Sequence, residues 1–172
     1  MMNRREAIQG LAAGVVVAGV RSSASARSSS ELISIGAVGC GGRGRDHAKL
    51  LAGRNDVRIS WVCDPDRNRA EQAAAEVEKV GGKKPAIVQD IRRVLDDSNV
   101  DAITVATPDH WHAPATILAC DAGKHVYVEK PCSHNVREGR LMIEAARKHN
   151  RVVQVGTQAR NSRHVRRAMQ LL

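Results

Sequence analysis

Residues 32–44 read LISIGAVGCGGRG, and the fold turns on this stretch. Leu32–Val38 is a short apolar run rich in β-branched side chains, the pattern of a strand buried on both faces. Gly39-Cys40-Gly41-Gly42-Arg43-Gly44 follows it and fits G-x-G-x-x-G. Gly39 permits a tight turn, Gly41 lets the backbone approach a pyrophosphate, and Gly44 lets the next helix pack close to the strand. Gly42 belongs to the same bare loop. The amides that open the helix then face the phosphates, and the helix dipole favours their negative charge. Glycine-rich turns are common, so the motif alone is weak. Here a strand precedes it, a helix follows, and Asp64 closes a second strand-like run 20 positions after Gly44. That is where a carboxylate takes the two hydroxyls of an adenosine ribose. A carboxylate there repels a 2′-phosphate and favours NAD. Arg43 and Arg67 keep NADP in play, since a guanidinium can hold a phosphate.

Outward from this loop the pattern alternates. Strand-like runs recur at Val57–Cys63, Ala86–Val88, Ala102–Ala106, His125–Glu129 and Val152–Val155. Helix-type segments lie between them at Gly44–Ala52, Asn68–Val80, Ile91–Leu95, Ala113–Ala122 and Asn135–His149. Gly123 stands where a left-handed C-cap belongs. Short buried strands alternating with helices predict an α/β fold, a doubly wound parallel sheet of the Rossmann type.

Composition closes off other classes. The chain has 172 residues, 42% hydrophobic and 26% charged, the make-up of one globular domain. Its aromatic residues are Trp61, Trp111 and Tyr127, too few for the stacking platforms of single-strand nucleic-acid modules. Cys40, Cys63, Cys120 and Cys132 include no C-x-x-C pair, which excludes a zinc ribbon and argues against a disulfide framework. His110 and His112, two apart, do not share a helix face, so no metal site is expected. The net charge of +9 divides into +2 over residues 1–26 and +7 over 139–172, with zero between. Basicity confined to the two ends is not a groove-binding face, and no nucleic-acid partner is expected.

Residues 1–26 have the form of an address. Arg4-Arg5 precede a mild apolar run, Ile8–Val20, and Ala24-Ser25-Ala26 offers the small residues that a signal peptidase accepts. This resembles a twin-arginine export signal, with Ala7 in place of the usual bulky residue, and it implies a periplasmic or exported protein. The run is too short to span a bilayer. Without the signal the location would be cytoplasmic. Residues 27–31 read as a flexible linker.

In an open α/β sheet, ligands bind outside the carboxyl ends of the strands. Thr107-Pro108-Asp109-His110-Trp111-His112 follows the fourth strand, Glu129-Lys130-Pro131 the fifth, and Gly156-Thr157-Gln158 the sixth. Asp109 is expected to cap the next helix. Lys130 can donate to a substrate hydroxyl or carbonyl, or take part in proton transfer.

Together these residues resemble the glucose–fructose oxidoreductase, inositol dehydrogenase and rhizopine-catabolism (Gfo/Idh/MocA) family, from residue 32 to about 160. IGAVGCGGRGRDH, WVCDPD, TPDHWH and, most specifically, AGKHVYVEKP carry the resemblance. It implies NAD or NADP bound by the glycine loop (Gly39, Gly41, Gly42, Gly44) and Asp64. It implies that Thr107, Pro108 and His112 line the nicotinamide side, and that Lys130 lies beside the reacting carbon as the catalytic residue. It further implies that Glu129 and Pro131 shape that turn, and that Gln158 approaches the cofactor.

Members of this family carry a second α/β domain that supplies most of the substrate pocket, and that domain is expected to lie outside residues 1–172. Val165, Ala168, Met169 and Leu172 recur at helical spacing, so residues 161–172 are expected to start a helix leading to that absent domain. The expected organisation is therefore a signal over 1–26, a linker over 27–31, a nucleotide-binding domain over 32–160, and the beginning of a helix. Catalysis is expected only of the complete form, for which a homo-oligomer remains open. The first functional expectation is hydride transfer between a sugar or cyclitol hydroxyl and nicotinamide. One alternative is a redox-neutral, NAD-dependent cleavage of a glycoside. Another is a truncated dinucleotide-binding module without turnover.

Overall fold

The computed structural model of the chain describes residues 32–171; the expected signal and the expected linker lie outside them. Six parallel strands form one sheet: β1 (Ile33–Val38), β2 (Val57–Cys63), β3 (Ala86–Val88), β4 (Ala102–Val105), β5 (His125–Glu129) and β6 (Val153–Gly156). Their order across the sheet is β3-β2-β1-β4-β5-β6. Chain order therefore reverses between β1 and β4, and the strand ends part there to leave a crevice.

Helices cover both faces. On one side lie α1 (Gly42–Ala52) and α2 (Arg67–Gly81); on the other lie α3 (Ile91–Leu95), α4 (His112–Asp121) and α5 (Val136–Lys148). Ile35 and Ala37 point to the first core and Val38 to the second, the alternation of a strand buried on both faces. Ile59 and Val62 break that period yet share the first core. The register between β1 and β2 shifts after Ile35, so that Gly36 pairs with Trp61 and Ser60 is the extra residue of a bulge. On α2, Ala70, Ala73, Ala74 and Val77 recur at helical spacing and are buried, so small side chains bring this helix close to the sheet.

Local signals explain the helix ends. The Asp66 carboxylate accepts from the Asn68 amide to open α2, and Gly82, at φ 69°, closes it. After α4, Gly123 at φ 75° donates to the Cys120 carbonyl and Lys124 to that of Ala119, the Schellman pattern. Asn135 and Glu138 cap α5. Two expectations need correction. α1 begins at Gly42, not Gly44, because Gly41 is extended and serves as its N-cap, which places the loop's last glycines in the first helical turn. Asp109 does not cap α4; it opens a 3-10 turn, Asp109–Trp111, that leads into the helix without a side-chain cap.

After β6 a 3-10 turn over Gln158–Asn161 leads to α6 (Arg163–Met169). Val165, Ala168 and Met169 lie on α6, which buries none of its residues, and Leu172 lies outside the described residues. No helix among the described residues is long and apolar enough to cross a membrane.

Candidate nucleotide site

The glycine loop is shaped by backbone contacts. Gly39 has φ +84°, and a Cβ on it would lie 2.6 Å from the Ala106 backbone. A Cβ on Gly44 would lie 1.7 Å from the Gly39 carbonyl oxygen, so the helix can meet the strand only through a bare α-carbon. Gly41 and Gly42 differ: a Cβ there would meet nothing within 4 Å. The first two glycines are demanded by the protein's own packing, and the second two keep its rim clear.

Asp64, buried directly after β2, ties this loop down. Its Oδ2 accepts from the Cys40 amide at 2.7 Å and its Oδ1 from the Asp66 amide at 2.9 Å. A carboxylate offers about four lone-pair sites, so both oxygens retain capacity for a hydroxyl. Burial, reinforced by this carboxylate, pushes the Cys40 thiol up to about 12. The Cys63 thiol is likewise raised to about 12, by burial first and then by Cys40 and Asp64. All four cysteines are free.

Between the ends of β1, β2, β3 and β4 opens a cleft of about 660 Å³, whose walls include Gly39, Asp64, Gln89, Thr107, Pro108 and Trp111. The Thr107 hydroxyl is buried and has no hydrogen-bond partner. Such an orphaned group loses its interaction with water without return, so it marks where a ligand atom is expected. An open glycine rim, a carboxylate at the strand end and an unspent hydroxyl together fit a dinucleotide.

The structure separates residues that the sequence had grouped. His112 is buried and does not line the cleft. Its Nδ1 meets the Pro131 carbonyl and its Nε2 the Thr107 carbonyl at 2.9 Å, so it staples the turn after β4 to the turn after β5. The Glu129 carboxylate is also buried and engages α1, with His47 Nε2 3.0 Å from its Oε1 and Arg43 Nε at 4.0 Å. Gln158, with its carboxamide turned to satisfy both neighbours, accepts from Arg43 Nη2 at 3.1 Å and donates to the Gly156 carbonyl at 3.2 Å. Lys130 is exposed, and its ammonium makes no ion pair among the described residues. The bond to Pro131 is cis.

The two arginines considered for a 2′-phosphate are placed elsewhere. Arg67 pairs with Glu71 at 2.8 Å, and Arg43 faces Glu129. The cations near Asp64 are Arg69, which lines the cleft beside Asp66, and Arg45, which shares with it a hollow of about 430 Å³ along the glycine rim. Trp111 stood in the strand-end run Thr107–His112 without a role, and Gln89 and Arg69 were not singled out. The strand-end rule could have found Gln89, the residue after β3, but nothing local marks Arg69. No cluster of metal ligands occurs among the described residues.

Residues 33–157 match the family described as GFO_IDH_MocA, oxidoreductase family, NAD-binding Rossmann fold. The chain belongs to this family. Its curated Gfo/Idh/MocA relatives include glycosyl hydrolase family 109 protein 1 of Shewanella sp. (strain ANA-3) and the alpha-N-acetylgalactosaminidase of Shewanella oneidensis. Each is 29% identical over 120 residues, which cover 67% of this chain and 26% of the relative. The match thus spans about a quarter of the length of these relatives. Among solved structures the chain is similar to GenD2 from gentamicin A biosynthesis in complex with NAD, with a TM-score of 0.76 and 26% identity over 84% of this chain and 40% of that one. It is also similar to scyllo-inositol dehydrogenase from Lactobacillus casei with bound NAD(H) and scyllo-inositol. There the TM-score is 0.73 and the identity 25%, over 82% of this chain and 41% of that one.

Proposed function

We propose that this chain is the cofactor-binding part of an enzyme that moves a hydride between a hydroxyl-bearing carbon of a sugar or cyclitol and NAD. The observation that carries this is a cleft at the strand ends walled by Gly39, Asp64 and Thr107, whose hydroxyl is unpartnered, next to a hollow lined by the open Gly41–Gly42 rim and sharing Asp66 and Arg69 with it. NAD, when bound, supplies the hydride acceptor. The chain's own residues bind and orient. Gly41 and Gly42 admit a pyrophosphate to the helix start, where the α1 dipole favours its charge. Asp64 accepts from the adenosine ribose hydroxyls. Lys130, exposed at the end of β5, donates to the substrate oxygen and shares in moving its proton. Pro108 walls the cleft, whereas His112, Glu129 and Gln158 act on the shape of the site.

Asp64→Ala in the full-length protein is expected to weaken NAD binding by roughly 10- to 100-fold and to narrow its advantage over NADP. Calorimetry that finds both affinities unchanged would overturn the ribose assignment. Lys130→Met is expected to cut turnover by about 100-fold or more with NAD affinity retained.

A second mode is favoured by the curated relatives, which are named as glycoside-cleaving proteins. There the hydride returns to the sugar after the glycosidic bond breaks, and no net oxidation results. Stoichiometric NADH accumulation with substrate supports the dehydrogenase mode; glycoside release at a catalytic level of NAD supports the other. We place the nucleotide-binding domain at residues 32–160 and a twin-arginine signal at 1–26, which agrees with export of a folded, cofactor-loaded protein. A second domain beyond the span matched here is proposed to supply most of the substrate pocket.

A further inference from the structure

Lys130 stands between two residues that are each fastened by a histidine, one from either face of the sheet. On the α1 face, His47 Nε2 lies 3.0 Å from Glu129 Oε1, with both side chains largely buried. On the opposite face, His112, the first residue of α4, meets the Pro131 carbonyl and the Thr107 carbonyl. We propose that His47 and His112 are positioning residues which clamp the Glu129–Pro131 turn from both sides and so hold Lys130 at the site. This rests on the role of Lys130 proposed above.

The α1 half of the clamp is built closely enough to serve that purpose. A buried carboxylate is costly unless it is paired, and only His47 and Arg43 pair with Glu129 among the described residues. The His47 ring stands edge-on to Tyr127, with centroids 5.4 Å apart and planes at 82°, so its orientation is fixed by a second contact on the same strand. Opposite Glu129 in the sheet is Gly156. A Cβ there would lie 2.7 Å from the Tyr127 hydroxyl and 3.0 Å from Glu129 Oε1, so the β6 backbone closes on the carboxylate from the far side. Gln158 completes the ring by joining Arg43 to the Gly156 carbonyl. His47 Nδ1 is buried and has no partner, so the imidazole's hydrogen bonding is spent on Glu129 alone. Burial holds the ring below its ordinary value of 6.5, against the pull of Glu129. In its neutral form the single N–H belongs on Nε2, facing the carboxylate.

This arrangement also joins two steps of the chemistry. α1 starts in the glycine loop and carries Arg43 and His47 one turn apart. The helix that receives the pyrophosphate therefore grips the residue beside Lys130.

Full-length His47→Leu and His47→Gln test the clamp with three readouts: NAD affinity by calorimetry, turnover, and amide hydrogen exchange over residues 125–133. His47→Leu removes the N–H; His47→Gln returns an amide donor near Nε2. A clamp predicts that His47→Leu lowers kcat by about 10-fold or more, leaves the NAD Kd within about 3-fold, and speeds exchange around Glu129. His47→Gln is expected to recover most of each loss. Turnover and exchange unchanged in His47→Leu would overturn the proposal. So would a uniform loss of NAD affinity, kcat and melting temperature that His47→Gln does not relieve. Should His47→Leu not fold, a cycle of His47→Gln with Glu129→Gln carries the test: coupling in exchange and turnover supports the clamp, and strict additivity overturns it. If instead Lys130→Met keeps full turnover, the role of Lys130 falls, while the exchange measurement still reports whether His47 holds the turn.

Discussion

The two rims of the crevice are held by different means. At the glycine loop, shape comes from what is missing: Gly39 and Gly44 leave no room for a Cβ against the backbone of Ala106 and of Gly39 itself. At the Glu129–Pro131 turn, shape comes from what is added, a histidine bonded to each flank. A steric requirement between backbones cannot be partly met, because neither atom can swing aside. A hydrogen-bonded side chain can be replaced by another of similar reach. The first rim should therefore fail abruptly under substitution and the second by degrees.

The sharpest way to break that contrast lies within the loop itself. Gly44→Ala forces a methyl group against the Gly39 carbonyl and is expected to cost about 3 kcal/mol or more, or to prevent folding. Gly41→Ala, at φ −67° with open space around it, is expected to leave stability equal or higher by about 0.4–1 kcal/mol. Its NAD affinity should nonetheless fall, because the new methyl stands on the rim. Urea unfolding and calorimetry on the two variants separate packing glycines from ligand-facing ones. Equal stability of the pair would erase the distinction.

A smaller effect is expected at His112. His112→Leu keeps the volume roughly but removes the N–H that a neutral imidazole donates to one of the Thr107 and Pro131 carbonyls, at a cost of about 1–3 kcal/mol in chemical denaturation. A loss below about 0.5 kcal/mol would mean that the staple does not hold the two turns.

The smallest effect concerns pH. His47 and His125 are both held below 6.5, chiefly by burial. As pH falls, the unfolded chain takes up these protons first. The stability they contribute is thus present above 6.5 and lost as pH drops through their lower folded values. Unfolding midpoints should decline from about pH 7.5 to pH 5. His47→Gln should flatten that slope in part, and an unchanged slope would show that His47 is already solvated.

Much of this could be read from the sequence because its causes are local. Val57–Cys63, Ala86–Val88 and His125–Glu129 are strands with the expected bounds, since buried β-branched runs bordered by turn residues allow little else. Gly39, Gly44 and Asp64 were legible for a similar reason: strand, turn and helix follow one another directly along the chain. His112 and His47 were not. His112 meets carbonyls on two different turns, and His47 on α1 meets a carboxylate far along the chain on β5. Neither is marked by its neighbours. Arg43 failed for the same reason, being set by Glu129; Arg67 pairs with Glu71 one helical turn on, a spacing the sequence does display.

What the sequence determined by itself was the alternation of strands and helices, the bare loop and the acid that follows it. These depend on propensity, periodicity and the absence of a Cβ, properties that each short segment carries with it. Only the tertiary structure decided that His47 and His112 fasten the turn after β5 and do not line the cleft. That choice depends on the β1/β4 reversal, which brings α1, α4, β5 and β6 together, and on burial, which makes an unpaired carboxylate such as Glu129 costly.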